Sequence, residues 1–324
     1  MRYSYLFATL IIITAVILAV TSVWDDSAIV DEIPHIGSGY SYVKKQDMRL
    51  NPEHPPLAKD MAGLPLLFLN IDQTIFNSRQ WLSNINDQWN FGRMVIYNSG
   101  VDADLITRLA KLPMLLFFIL SAILIFHWGR KLYGKQAGIF ALILFAFSPT
   151  ILAHSRFVTT DMPALFGVLF ATYFFLRYLK TPTKNNAFIA SATFGIALLT
   201  KFSTFLLIPY LGALALLWGF IHGEGFKKRL QNSLVHGLRS VLIFVIGFVI
   251  IVWPVYGFHV QNYPPSRQYS DTKNILSSFG KRYLAEPVVW ASDKPIIRAA
   301  AHYGLGLLMV VQRSAGGNTT YFLG

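Results

Sequence analysis

The sequence has no cysteine and few charges: charged residues fill 14% of its 324 positions, against roughly a quarter in soluble proteins. Without cysteine there is no disulfide, no thiolate nucleophile and no Cys-ligated zinc, and no redox compartment can be read. Acids are the scarcer sign, 16 against 28 Lys plus Arg, which leaves a net charge of +12. In a soluble chain that excess points to nucleic acid. In a chain that is 54% hydrophobic and 15% aromatic, it points instead to the cytoplasmic loops of a multi-pass membrane protein. The lipid bilayer is therefore an expected partner and nucleic acid is not. Solenoid-type repeats and low-complexity tracts are also missing.

What is present is a series of apolar runs. A spanning helix needs about 20 mostly apolar residues, because ~30 Å of hydrocarbon is covered at ~1.5 Å per residue. Windows at 5–23, about 105–127, 137–154, 162–179, 186–200, 202–221 and about 237–257 are predicted spans. An eighth run begins near Tyr303 and is scarcely finished at Gly324, which predicts a chain truncated before a C-terminal part. Segment 5–23 reads as a retained helix rather than a signal peptide. Its run is long, and no small-x-small cleavage site precedes Trp24. The fold class expected is an all-α polytopic membrane protein, a single domain over 1–324.

Charge orients the spans. The loops 128–136 (Arg130, Lys131, Lys135), 177–185 (Arg177, Lys180, Lys184) and 222–239 (Lys227, Lys228, Arg229, Arg239) are basic and hold one acid, Glu224. The positive-inside rule puts these loops and the N-terminus in the cytoplasm. Segments 24–104, 155–161, the turn at Lys201 and 258–302 then face outside, periplasmic or lumenal. The first outer loop, 24–104, is too long for a simple connector. Its run MAGLPLLFLNI (61–71) is too short to span and predicts a helix lying on the interface.

Four features on the outer side carry chemistry. Asp31-Glu32 follows the first span. Adjacent carboxylates do not share a helix face, so at most one of the two is expected in a site, as a general base for a hydroxyl; in isolation a solvated acidic loop is the better account. His54-Pro55-Pro56-Leu57-Ala58-Lys59 comes next. Its two prolines fix the backbone and remove two donors, ordering the loop around His54 and Lys59; a plain helix start is the simpler account. Third is RFVTTDMP (156–163), where Thr160 or Asp161 caps the following helix and Pro163 sits in its first turn. Capping leaves Arg156 unexplained on a side poor in basic residues. Fourth, Lys201 interrupts the apolar stretch 186–221. It either marks a tight turn and snorkels outward or serves a site. Cations at headgroup depth suit a lipid phosphate. A phosphate leaving group needs its charge stabilised, and a nucleophile needs a base.

These residues resemble a known family. DEIPHIGSGYSYVKKQDMRLNPEHPPLAK (31–59), followed by TTDMP (159–163), is similar to the protein O-mannosyltransferases and the related bacterial transferases that use polyprenyl-phosphate sugars, among them the aminoarabinose transferases acting on lipid A. The family's first loop reads Asp-Glu, a histidine, a Gly-aromatic segment, then His-Pro-Pro-Leu-Gly/Ala-Lys. The ending GGNTTYFLG (316–324) is similar to a later family motif, with Asn318 where an arginine is common.

The resemblance implies a GT-C fold, a transmembrane helix bundle whose large first outer loop bears interfacial helices. It implies a membrane glycosyltransferase moving a monosaccharide from a polyprenyl or dolichyl phosphate to a hydroxyl on protein, lipid A or glycan, on the outer face and with inversion. Asp31 corresponds to the family's catalytic carboxylate and Asp161 to its second outer acid. Glu32 is assigned a supporting role. Arg156 and Lys201, with Lys59, are assigned to the carrier phosphate, and His54, Pro55 and Pro56 to ordering the loop. Family members differ in metal dependence, so no cofactor is required and a divalent cation is compatible. The rival from another class is a transporter or flippase of an anionic lipid or lipid-linked sugar. It would use the same cations without a base and would tend to show inverted repeats.

Overall fold

Every regular element in the computed structural model, which describes residues 2–316, is a helix. The ending GNTTYFLG and Asn318 lie outside the described residues. Helix α1 (Arg2–Thr21) fills the first predicted span. Only 22% of its apolar window is buried against protein, compared with 56% in the Ala103–Tyr133 helix. An isolated apolar helix in water would hide more of itself; α1 is suited to lipid.

The first outer loop folds into α2 (Glu32–Lys45), α3 (Leu57–Gly63), the single turn α4 (Arg79–Leu82) and α5 (Gln88–Tyr97). Helix α2 is almost wholly enclosed by this layer. A Cβ on Gly37 would run into the backbone of Gly92 on α5, and one on Gly39 into the carbonyl of Lys59 on α3. Glycine is needed at both crossings because the backbones touch. The predicted interfacial run continues α3 as a 3-10 turn, Leu64–Phe68, with Leu66 buried and Phe68 90% exposed.

The bundle follows. Helix α6 (Ala103–Lys111) joins α7 (Met114–Tyr133) through Leu112-Pro113, so the second span starts earlier than predicted. The predicted span 137–154 is not one helix: α8 (Lys135–Ala146) stops and α9 (Pro149–His154) restarts, with Ser148 extended between them. Pro149 accounts for the break, since it lacks a donor and forces the preceding residue out of the helical region. Helices α10 (Asp161–Lys180), α11 (Lys184–Leu198) and α12 (Leu207–Ile221) match the next three windows, α11 with 15 residues. Helices α13 (Gly225–Gly247) and α14 (Trp253–His259) form one rod from Gly225 to His259 through a π-helical turn at Phe248–Val252. Lys227, Lys228, Arg229 and Arg239 therefore lie on a helix, not in the loop predicted for 222–239. Among the described residues, five helices are long and apolar enough to cross a membrane: Tyr3–Thr21, Ala103–Tyr133, Asp161–Lys180, Phe202–Ile221 and Gly225–His259. The chain is thus built as an integral membrane helix bundle.

Helices α15 (Pro265–Ile275), α16 (Arg282–Ala291) and α17 (Arg298–Gly316) close the structure. The segment 258–302 packs on the first outer loop. Arg267 ion-pairs Asp271 and donates to the carbonyls of Leu82, Ser83 and Asn84. His259 Nε2 meets Asp60 at 2.8 Å. The two segments thus form one layer at one end of the bundle.

The two ends are marked by ion and ring contacts of α1. Its start meets the basic end, Arg130 lying over the Tyr5 ring at 4.6 Å. Its finish lies beside the turn before α10, where Arg156 donates to the Ser22 carbonyl at 2.6 Å and pairs with Asp26 of the first loop at 2.7 Å.

Candidate active site

A polar cavity of about 220 Å³ opens where the first loop, the turn before α10, the turn at Lys201 and the end of α17 converge. Asp31, Pro34 and His35 reach it from α2, and Asn51, Glu53 and His54 from the segment before α3. Gln88 and Trp89 come from α5, Thr159, Thr160 and Asp161 from the start of α10, and Lys201 and Arg313 complete it. Glu53, His54, Lys201 and Arg313 also line an adjoining cleft of about 410 Å³, whose other walls include Phe202, Ile275, Met309 and Val310. One space is therefore polar at one end and apolar at the other, with two cations at the junction.

Asp31 precedes the first turn of α2, is exposed to the cavity, and makes no side-chain hydrogen bond or ion pair among the described residues. Its neighbour has the opposite environment. Glu32 is fully buried and does not line the cavity. It accepts hydrogen bonds from the amides of Ile29 at 2.9 Å and Val158 at 2.8 Å, and Lys111 Nζ lies 3.4 Å away. Burial raises its carboxyl above the usual range, opposed by these partners. The expected supporting role in chemistry is thus replaced by a structural one: Glu32 ties the first loop to the turn that carries Asp161.

Lys59 also departs from expectation. Its ammonium is fully buried and donates to the Tyr42 hydroxyl at 2.8 Å and to the carbonyls of Asn51 and His54 at 2.7 Å each. These three acceptors use all its donors, and burial pushes its pKa well below the usual lysine range. Lys59 holds the loop that presents Asn51, Glu53 and His54; no donor is left for a phosphate. Pro55 and Pro56 lead into α3, which starts at Leu57, whose amide bonds the Leu199 carbonyl at 3.2 Å. His54, expected only to order the loop, faces the cavity itself.

Asp161 and Lys201 meet directly, Nζ to Oδ1 at 2.7 Å, with His154 3.9 Å from the other carboxylate oxygen. Arg156 does not join them. It is committed to the Asp26 carboxylate at 2.7 Å and the Ser22 carbonyl, and it lines neither the cavity nor the cleft. Arg313, not Arg156, lines both the cavity and the cleft beside Lys201. Its local sequence, LMVVQRSAGG, gave no sign of this, since only the tertiary packing of α17 brings it back to the first loop.

His35 also lines the cavity. Its ring lies 5.0 Å from that of His54, edge to face. Burial holds His35 well below the usual histidine range and brings His54 to about 3, with Lys59 and Lys201 adding to the effect on His54. Both rings are neutral near pH 7. Both side-chain polar atoms of Asn51 are buried without partners, while Thr159 interacts with the Asp161 carboxylate and His35 with the Val158 backbone. Buried polar atoms ordinarily find partners, so this wall is built for a polar guest. Among the described residues, no set of three His, Asp or Glu side chains is placed to hold a metal ion.

Residues 107–253 match the family described as dolichyl-phosphate-mannose-protein mannosyltransferase. Comparison with curated proteins and with solved structures gives no match. The matched stretch runs from α6 to the start of α14. It contains Arg156, Asp161 and Lys201 but not the first-loop motif. The match supports a membrane glycosyltransferase of the GT-C type.

Proposed function

We propose, starting from the match of residues 107–253 to that mannosyltransferase family, that the chain transfers a monosaccharide from a polyprenyl-phosphate carrier to a hydroxyl acceptor on the outer membrane face. The observation that carries this reading is the unpartnered Asp31 carboxylate in a polar cavity that continues, past Lys201 and Arg313, into a cleft with apolar walls. The apolar walls suit the isoprenoid. The two cations at the junction suit its phosphate, the guanidinium as a bidentate partner. The wall of unpartnered polar atoms suits the sugar and the acceptor.

In this reading Asp31 takes the proton from the acceptor hydroxyl as its oxygen attacks the anomeric carbon. The bond from that carbon to the phosphate oxygen breaks on the opposite side, and the phosphate leaves with the electron pair. Inversion follows from one displacement. Lys201 and Arg313 neutralise the charge that grows on the leaving phosphate. Asp161 orients Lys201. His35 and His54, neutral, offer one donor and one acceptor each to the sugar. A transporter would need the cations but has no use for a free carboxylate beside them.

The test is transfer by the full chain from a polyprenyl-phosphate mannose donor, wild type against Asp31→Asn. The variant is expected to lose at least about a hundredfold in turnover, the usual size of a general-base contribution, with unchanged helix content and melting temperature. Turnover within a few-fold of wild type would remove Asp31 from the mechanism.

A further inference from the structure

The end of the bundle away from the active-site cleft holds a second groove, of about 270 Å³, between α10, α11 and α13. Tyr178 lies seventeen residues beyond Asp161 on the same helix, about 26 Å at ~1.5 Å per residue. That is close to the thickness of the hydrocarbon layer, so the groove and the cleft open at opposite membrane interfaces.

The groove is amphipathic. Lys184 and Arg239 stand at it, both exposed, and neither has a carboxylate partner among the described residues. Below them Phe188 and Leu242, each 60% exposed, and Ile246 form an apolar wall. The Tyr178 ring is buried beside this wall, and its hydroxyl makes no hydrogen bond among the described residues. In a membrane protein an apolar wall at this depth is covered by acyl chains. Two unpaired cations above it select the headgroup: a phosphate lacking a compensating ammonium.

We propose that this groove is a binding site for an anionic glycerophospholipid of the leaflet opposite the active-site cleft. The phosphate sits between Lys184 and Arg239 and accepts a hydrogen bond from Tyr178, and one acyl chain lies along Phe188, Leu242 and Ile246. A zwitterionic lipid brings its own cation to the same place and gains less. A free phosphate ion has no use for the apolar wall. Basic pockets between spanning helices are a known means of holding anionic headgroups. The proposal is independent of the transferase chemistry.

Native mass spectrometry of the full chain, delipidated in neutral detergent and titrated with dioleoyl phosphatidylglycerol or dioleoyl phosphatidylcholine, tests it. Wild type is expected to retain phosphatidylglycerol in clear preference. Lys184→Ala with Arg239→Ala is expected to weaken phosphatidylglycerol binding roughly thirtyfold, to the level of phosphatidylcholine. Lys184→Arg with Arg239→Lys, which keeps both charges, is expected to preserve the preference and controls for folding. Lys227→Ala with Lys228→Ala, at the same end but outside the groove, is expected to leave binding unchanged. Equal binding of the two lipids by wild type overturns the proposal. So does an equal loss in the two alanine pairs, which would make the attraction a diffuse charge effect.

Discussion

Asp31 and Glu32 are chemically near-identical neighbours with opposite fates. The peptide step between them turns one carboxylate into the cavity and the other into the protein. The sequence made this division readable, since adjacent residues on a helix do not share a face; which of the two was free depended on the family motif. The fate of Glu32 depended on Val158 and Lys111, more than 75 positions away, and had no local signal. The two sites should therefore fail differently. Glu32→Ala strips a buried cation and two amides of their partner and is expected to cost about 3–5 kcal/mol, seen as a large fall in melting temperature. Asp31→Asn should leave the melting temperature where it is. The histidines give a pH signature. His54 has a folded-state pKa of about 3, below its unfolded value near 6.5. Its neutral burial contributes fully above about pH 6.5 and is lost as the pH falls toward 3, at about 1.4 kcal/mol per pH unit. Thermal midpoints measured from pH 7 to 5 should fall for wild type and fall less steeply for His54→Gln, in which the ring that resists protonation is gone. Cations were the least legible residues. Lys59, Arg156 and Lys201 looked alike as isolated positive charges in outer segments, yet only Lys201 faces the cavity; Arg313, which also does, lay in an apolar run without any motif.

At the scale of elements, hydropathy located the helices and missed their interruptions. Averaging over 137–154 hides Ser148-Pro149, where a missing donor and a restricted preceding residue outweigh the apolar content on either side. The opposite error occurs at 222–239, where charge suggested a loop and α13 is helical throughout. Polar residues at the end of a long rod are compatible with a helix that extends beyond the hydrocarbon. The first loop is the element on which the site depends, and its organising feature is close backbone contact. Gly37 and Gly39 let α2 lie against α5 and α3, which fixes Asp31 and His35 relative to Asn51 and His54. Gly39→Ala adds one methyl where the Lys59 carbonyl already stands. The expected cost is about 1–3 kcal/mol of overpacking, and the displaced α3 should carry His54 with it. The melting temperature and transfer activity of Gly39→Ala should therefore both decline, whereas Asp31→Asn lowers activity alone.

The whole molecule is a bundle with one elaborated end. The first loop, the turn before α10, the turn at Lys201 and α17 all arrive there. That convergence is what makes a site out of residues separated by as many as 282 positions, from Asp31 to Arg313. The opposite end gathers Arg130, Lys180, Lys184 and the basic start of α13. The charge pattern along the sequence anticipated this division, because alternate loops in a polytopic chain must fall on alternate sides. The positive-inside rule predicts that the basic end faces the cytoplasm, and the absence of cysteine makes that prediction directly measurable. Ser83→Cys places a single thiol in the first-loop layer, and Lys227→Cys places one at the basic end; both positions are exposed. In intact cells, a membrane-impermeant maleimide should label Ser83→Cys. It should reach Lys227→Cys only after the membrane is permeabilised. The reverse pattern would put the cleft on the cytoplasmic side. The outer-face step of the proposed reaction would then fall while the geometry of the cleft stood.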